Sequence, residues 1–206
     1  RLSAEMIRDN ALSASGLLTR KVGGPSVKPY QPAGLWVEKT GPGSAYKHDT
    51  GSSLYRRSMY TFVRRTTPHP AMIAFDAPNR SVCTVKREQT NTPIQALTLL
   101  NDPDFMEAAR VLAQRMQLET GKTIDHQLNL GIRLRCGRYP DATELNLLNT
   151  LFERAYSKYK NNPKATDALL EVGAYPLNPK LDRVQTAALT QVASTIMNFD
   201  EAYMKR

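Results

Sequence analysis

Histidine is the side chain best suited to holding metal or moving protons near neutral pH. This chain carries His48 in a loop-like stretch, His69 between two prolines and His126 in a helical pattern. None stands four residues from another His beside a Glu, the spacing that brings two imidazoles onto one helical face around zinc. Cys83 and Cys136 stand apart in the chain, with neither a second Cys at Cys-x-x-Cys spacing nor a following His. A self-contained Cys-rich zinc site and a c-type haem attachment are therefore not expected, and the metal and haem-attachment residues expected within this chain are none. No serine lies in a Gly-x-Ser-x-Gly elbow, and Gly23-Gly24-Pro25-Ser26 does not run on into the Gly-Lys-Ser/Thr of a phosphate loop. No catalytic residue is assigned.

The polar residues with more to offer crowd one region. Arg64, Arg65, His69, Asp76, Arg80, Arg87, Glu88, Asn91 and Gln95 are the candidate binding residues, with Asn101 and Asp102 just beyond them. Carboxylates beside guanidinium groups could recognise a sugar or support acid–base chemistry. The same groups could instead form Arg–carboxylate pairs and Asn or Asp caps that hold irregular backbone without any ligand. Three members, Asp76, Arg87 and Asn91, are expected to sit together where extended chain turns into helix. His69, stiffened by Pro68 and Pro70, reads as a surface imidazole, whereas Cys83 and Cys136 read as small buried hydrophobes.

The elements that must position these groups follow from pattern. Ile7, Ala11, Ala14 and Leu18 form one apolar stripe over residues 3–18. From Gly23 to Ser53 the chain holds six of its eleven glycines together with Pro25, Pro29, Pro32 and Pro42, so a long loop is expected, anchored by Leu35-Trp36-Val37. Tyr55 to Arg65 reads as a strand through Tyr60-Thr61-Phe62-Val63, and Val82 to Val85 as a second short one. Beyond residue 91 the punctuation becomes helical. Thr92 with Pro93 and Gln95 predicts a capping box, and Asp102 with Pro103 a second start, followed by the apolar face Phe105, Ala108, Ala109, Leu112 and Met116. A third helix is expected from Ile124 to Cys136, stopped by Gly137. Asp141 and Glu144 cap a fourth carrying Leu145, Leu148, Phe152, Ala155 and Tyr159, Asn162-Pro163 starts a brief fifth, and the last spans residues 181–199.

These elements predict a mainly α fold: a helical bundle with a long Gly/Pro-rich loop and a small extended or β element. Within one domain, residues 1–54 form the N-terminal helix and loop, 55–91 the arginine-rich extended segment, and 92–206 the bundle. At 206 residues the chain can bury a sizeable core without disulfide or metal. Its hydrophobic fraction of 41% and charged fraction of 23% are ordinary for a globular protein, and no apolar run is long enough for a transmembrane helix. The net charge of +9 is uneven. Arg56, Arg57, Arg64, Arg65, Arg80, Lys86 and Arg87 face only Asp76 and Glu88 between Tyr55 and Glu88. Such a cluster suits an acidic protein or acidic glycan as partner, or internal carboxylates. Nucleic acid is disfavoured, because neither a recognition helix nor an aromatic RNA-binding motif is present. The opening at Arg1, in mid-pattern, reads as part of a larger protein.

One family combines these words in this order. Tyr55-Arg56-Arg57-Ser58-Met59-Tyr60-Thr61-Phe62, Phe75-Asp76-Ala77-Pro78, Arg87-Glu88-Gln89-Thr90-Asn91-Thr92-Pro93-Ile94-Gln95-Ala96-Leu97 and Leu100-Asn101-Asp102-Pro103 resemble the C-terminal part of the "PSD-one" domain of unknown function, number fifteen fifty-three, found in planctomycetes and related bacteria. Gly137-Arg138-Tyr139-Pro140-Asp141 and Met197-Asn198-Phe199-Asp200-Glu201 extend the likeness. The resemblance implies an exported, extracytoplasmic protein (periplasmic or cell-surface) with a cytochrome c-type domain upstream. Haem c would then belong to that domain, with no cofactor in this chain, and the other domains of the same polypeptide would be its partners. It supplies no activity. The expectation is a non-catalytic structural or interaction module; the alternative is a carbohydrate-active or redox enzyme module using the junction around Asp76, Arg87 and Asn91.

Overall fold

The computed structural model describes residues 1–40, 45–121 and 123–204; Pro42 lies outside them. Helices dominate. They are α1 (Ala4–Ser15), α2 (Leu35–Thr40), α3 (Pro70–Ala74), α4 (Pro93–Asn101), α5 (Pro103–Thr120), α6 (Ile124–Cys136), α7 (Ala142–Lys160), α8 (Pro163–Leu170) and α9 (Arg183–Met197), and no strand or sheet occurs among the described residues.

The bundle is built around α5 and α9, the most extensively packed pair, with α1 and α6 against α5 and with α7 and α8 against α9. The inner faces carry alanine where the two central helices meet the core. Ala108, Ala109 and Ala113 on α5, and Ala187, Ala188 and Ala193 on α9, are fully buried beside Leu112, Met116, Leu189, Val192 and Ile196. Gly131 serves the same end on α6, because a Cβ there would stand 3.1 Å from Met116 and 3.2 Å from Ile196. Leu148, Phe152, Ala155 and Tyr159 on α7 are buried, as their spacing predicts. A smaller cluster of Leu12, Leu17, Leu54, Tyr55 and Val111 seats the loop region on α1 and α5.

Most helix ends obey the local chemistry. Asp102 accepts from the Asp104 amide (3.0 Å) and caps α5. Asp141 and Glu144 form the reciprocal capping box of α7 at 2.8 and 3.0 Å. Gly137, at φ 78, ends α6 and donates its amide to Arg133 (3.1 Å). Arg138 then pairs with both Glu144 and Glu201, tying the turn between α6 and α7 to the closing turn Asp200–Ala202.

The extended element departs from expectation. Tyr55 to Arg65 is not a strand: Ser58–Tyr60 is a tight 3₁₀ turn, and pairing is confined to two isolated parallel bridges, Thr19 with Arg56 and Val27 with Thr61. The physical reason lies in the partner. A ladder needs continuous backbone opposite, and here Gly23-Gly24-Pro25 interrupts the paired segments while Pro25 has no amide to give. Val82 to Val85 is not a strand either, having no chain beside it. Residues 23–34 and 45–50 are loop as expected, but the Leu35-Trp36-Val37 anchor is the start of α2, with Trp36 buried and Val37 exposed.

Candidate functional site

The junction between α3 and α4 is held by Thr90, a residue the sequence does not single out. Asp76, turned into the left-handed region at φ 60, accepts from the Thr90 amide (2.8 Å) and hydroxyl (2.9 Å), and also pairs with Arg1. Burial works against the charged form, but the bonds from Arg1 and Thr90 outweigh it and hold the Asp76 carboxyl below its ordinary range. Gln95, buried on α4, donates to the Thr90 carbonyl (3.1 Å) and hydroxyl (3.2 Å). These bonds replace the expected capping box. Thr92 is the N-cap of α4 by conformation, yet its hydroxyl makes no cap bond and Gln95 reaches two residues further back.

Arg87 does not join Asp76. Its guanidinium meets Glu5 of α1 in a two-pronged pair at 2.6 and 3.1 Å, which holds the Glu5 carboxyl low against the opposing effect of burial. Asn91 and Glu88 are exposed, as are Arg65 and Arg80. Arg64 stacks over Trp36, 4.8 Å from the ring centroid. Of the candidate residues, then, Asp76 and Gln95 converge on one partner, Arg87 and Glu88 share with Asp76 the wall of a shallow groove of about 460 Å³, and Arg64 serves α2.

Two assignments are corrected here. His69 is not a surface imidazole but is 4% exposed: Pro70 starts α3 directly after it, and the residue lies inward beside the buried Ala71 and Met72 of that helix. Both ring nitrogens are buried without a hydrogen-bond partner, and burial pushes its pKa down. Cys83, read as buried, is exposed. Cys136 is half-buried against the core, and burial pushes its thiol up.

The strongest polar centre lies beneath the junction. Arg8, on the buried face of α1, binds Asp104 through both prongs (3.0 and 3.1 Å) and donates to the carbonyls of Leu54 (2.9 Å) and Arg56 (3.1 Å). Glu107 accepts from the Tyr55 hydroxyl (2.9 Å) and the Tyr175 amide (2.6 Å), while Arg110 donates to the carbonyls of Val172 and Tyr175. Arg56, buried over the Tyr60 ring, donates to the carbonyls of Pro25 (2.9 Å) and Gly23 (2.5 Å). These groups brace loops that lack regular backbone partners. None leaves a carboxylate and a base facing a cleft together.

Against this stands the strap from Val82 to Gln89. Its residues form no backbone hydrogen bond among the described residues, two bends break its course, and Val82 and Val85 are 72% and 105% exposed. It is tied to the fold at one end, where Asp76 holds Thr90 and Arg87 reaches Glu5, while at the other the Asn79 side chain accepts from the Ser81 amide (2.9 Å) within a local turn. Ile73 (40%), Ile94 (59%) and Leu97 (56%) add exposed apolar surface on α3 and α4, and a cavity of about 510 Å³ opens between the two helices. Arg80 and Lys86 have no carboxylate partner among the described residues.

A mainly helical fold with braced polar residues and one open apolar strap is the class of molecule this describes. Residues 1–152 match the PSD1 family model, described as a protein of unknown function (DUF1553), and the chain belongs to that family. The match stops within α7, so α8 and α9 lie outside it. No curated protein matches the chain, and no solved structure does.

Proposed function

We propose that this chain is a non-catalytic interaction module of an exported, multidomain planctomycete-type protein, and that other domains of the same polypeptide, a cytochrome c-type domain among them, are its partners. Haem, in this reading, belongs to such a neighbouring domain. The observation that carries it is the strap: eight consecutive residues, 82–89, without a backbone hydrogen bond among the described residues, bearing exposed valines and tied to the fold at its Thr90 end. Exposed apolar patches mark contact sites, and Val82 shares a groove wall with Ile73. The junction residues weigh against catalysis, since Asp76 is engaged by Thr90 and Arg1 and Arg87 by Glu5.

Cys83 sits inside the strap and reports on it directly. With Cys136 replaced by Ala, alkylation of Cys83 should be fast in the isolated chain and slowed at least about tenfold in the complete polypeptide, as expected when a local site is covered. Equal rates would sink the proposal. An oligosaccharide bound saturably in the groove beside Asp76 and Arg87 would replace it with the carbohydrate-active alternative.

A further inference from the structure

We infer that the Val82–Gln89 strap is a docking strip for an extended acidic segment, which pairs with its backbone as an added strand. This rests on the interaction reading above and names the partner's chemistry. Ser81-Val82-Cys83-Thr84-Val85 is rich in residues that favour extended backbone, and with no strand alongside it forms none. The amides and carbonyls of residues 82–89 are thus left to solvent, the condition in which a segment accepts a strand from outside. Its bends at 80–82 and 85–86 would straighten on pairing, while the fixed end at Thr90 and the tie from Arg87 to Glu5 limit the freedom lost.

Charge selects the occupant. Lys86 lies on the strap and Arg80 just before it, both without carboxylate partners among the described residues, Arg87 is taken by Glu5, and Glu88 is the one carboxylate within the strap. A partner strand with carboxylates at alternate positions would meet Arg80 and Lys86. Val82 and Thr84 share that face with them, and the partner's other face would carry apolar side chains against Cys83 and Val85. A basic segment, such as a lysine-rich arm, would be repelled.

The probes are eight-residue peptides alternating Val or Thr with Glu, the same peptides with Lys for Glu, and the Glu peptides N-methylated at alternate amides. Hydrogen exchange of the Val82–Arg87 amides is followed in the 206-residue chain. The Glu peptides should slow alternate amides along one edge at least about tenfold, saturably and with Kd below about 1 mM. The Lys peptides and one N-methylated register should not. Thr84→Pro and Val85→Pro each delete one amide at an exposed position, on opposite edges, so one of the two should abolish protection with the melting temperature unchanged. Unprotected amides with every peptide would overturn the inference, as would equal protection by Glu and Lys peptides or indifference to both prolines. Protection by an oligonucleotide instead of the acidic peptides would overturn the partner class. Shielding of Cys83 in the complete polypeptide with these amides still exchanging freely would overturn strand pairing alone, whereas an unshielded Cys83 would remove the interaction reading itself.

Discussion

At the scale of single residues, burial separates ion pairs that look alike in sequence. Arg8 and Arg87 each meet a carboxylate through two prongs, but the first pair is almost wholly buried and the second half open to water. Removing one partner of a buried pair strands a charge, so Arg8→Ala should cost about 3–5 kcal/mol. Arg87→Ala should cost less than about 1 kcal/mol, because solvent screens the pair. Denaturant melts of both variants check the contrast, and similar losses would contradict it. Asp102 adds a pH signature. Burial and the neighbouring Asp104 push it up to about 7. Between the ordinary carboxyl value of about 3.9 and about 7, the unfolded chain has released a proton the folded one keeps. This residue's effect is therefore to lower stability as pH rises through that window, and to level off above it. Asp102→Asn keeps a good cap, so it should match the native chain near pH 4 and exceed it at pH 8 by on the order of 1–3 kcal/mol. A difference independent of pH would show that Asp102 is not the group responsible. Arg8 was not singled out in the sequence, because the stripe through Ile7, Ala11, Ala14 and Leu18 passes beside it. Nor was its partner, because no local pattern links residues 96 positions apart.

Elements were readable where their signals were local. The starts of α5, α7 and α8 lie where Asp102, Asp141 and Asn162 place them, and Gly137 ends α6. Each depends on a few neighbouring residues. Strands depend on what lies opposite, and that is why Tyr55 to Arg65 and Val82 to Val85 were misread: both have extended-chain composition and neither has an uninterrupted partner. Cys83 was misplaced with the second of these. His69 failed for a related reason, since Pro-His-Pro specifies a stiff turn and leaves open whether the turn faces water or core. Thr92 shows the limit of a motif. The capping-box residues are present, but Gln95 finds Thr90 instead. For α7 the helical stripe and the structure agree, with Phe152 5% exposed. Phe152→Ala should therefore destabilise the fold by about 3–5 kcal/mol in denaturant melts, and a loss under about 1 kcal/mol would mean that this face of α7 is not in the core.

For the whole molecule, the polar and apolar distributions point in opposite directions. Charges that could have formed a reactive site are turned inward as braces: Arg8 on Asp104, Tyr55 on Glu107, and Arg56 on the carbonyls of the Gly23–Pro25 turn. Valines that a closed fold would bury are turned outward on the strap. Family membership agrees with the sequence resemblance but names no activity. The central claim is that this face is covered by neighbouring domains in the intact protein. Amide hydrogen exchange across Val82–Gln89 tests it most directly, compared between the isolated chain and the complete polypeptide. Free exchange in the first and protection of at least about tenfold in the second is the expected result. Equally fast exchange of these amides in both, with Val82 and Val85 still open to solvent, would contradict it.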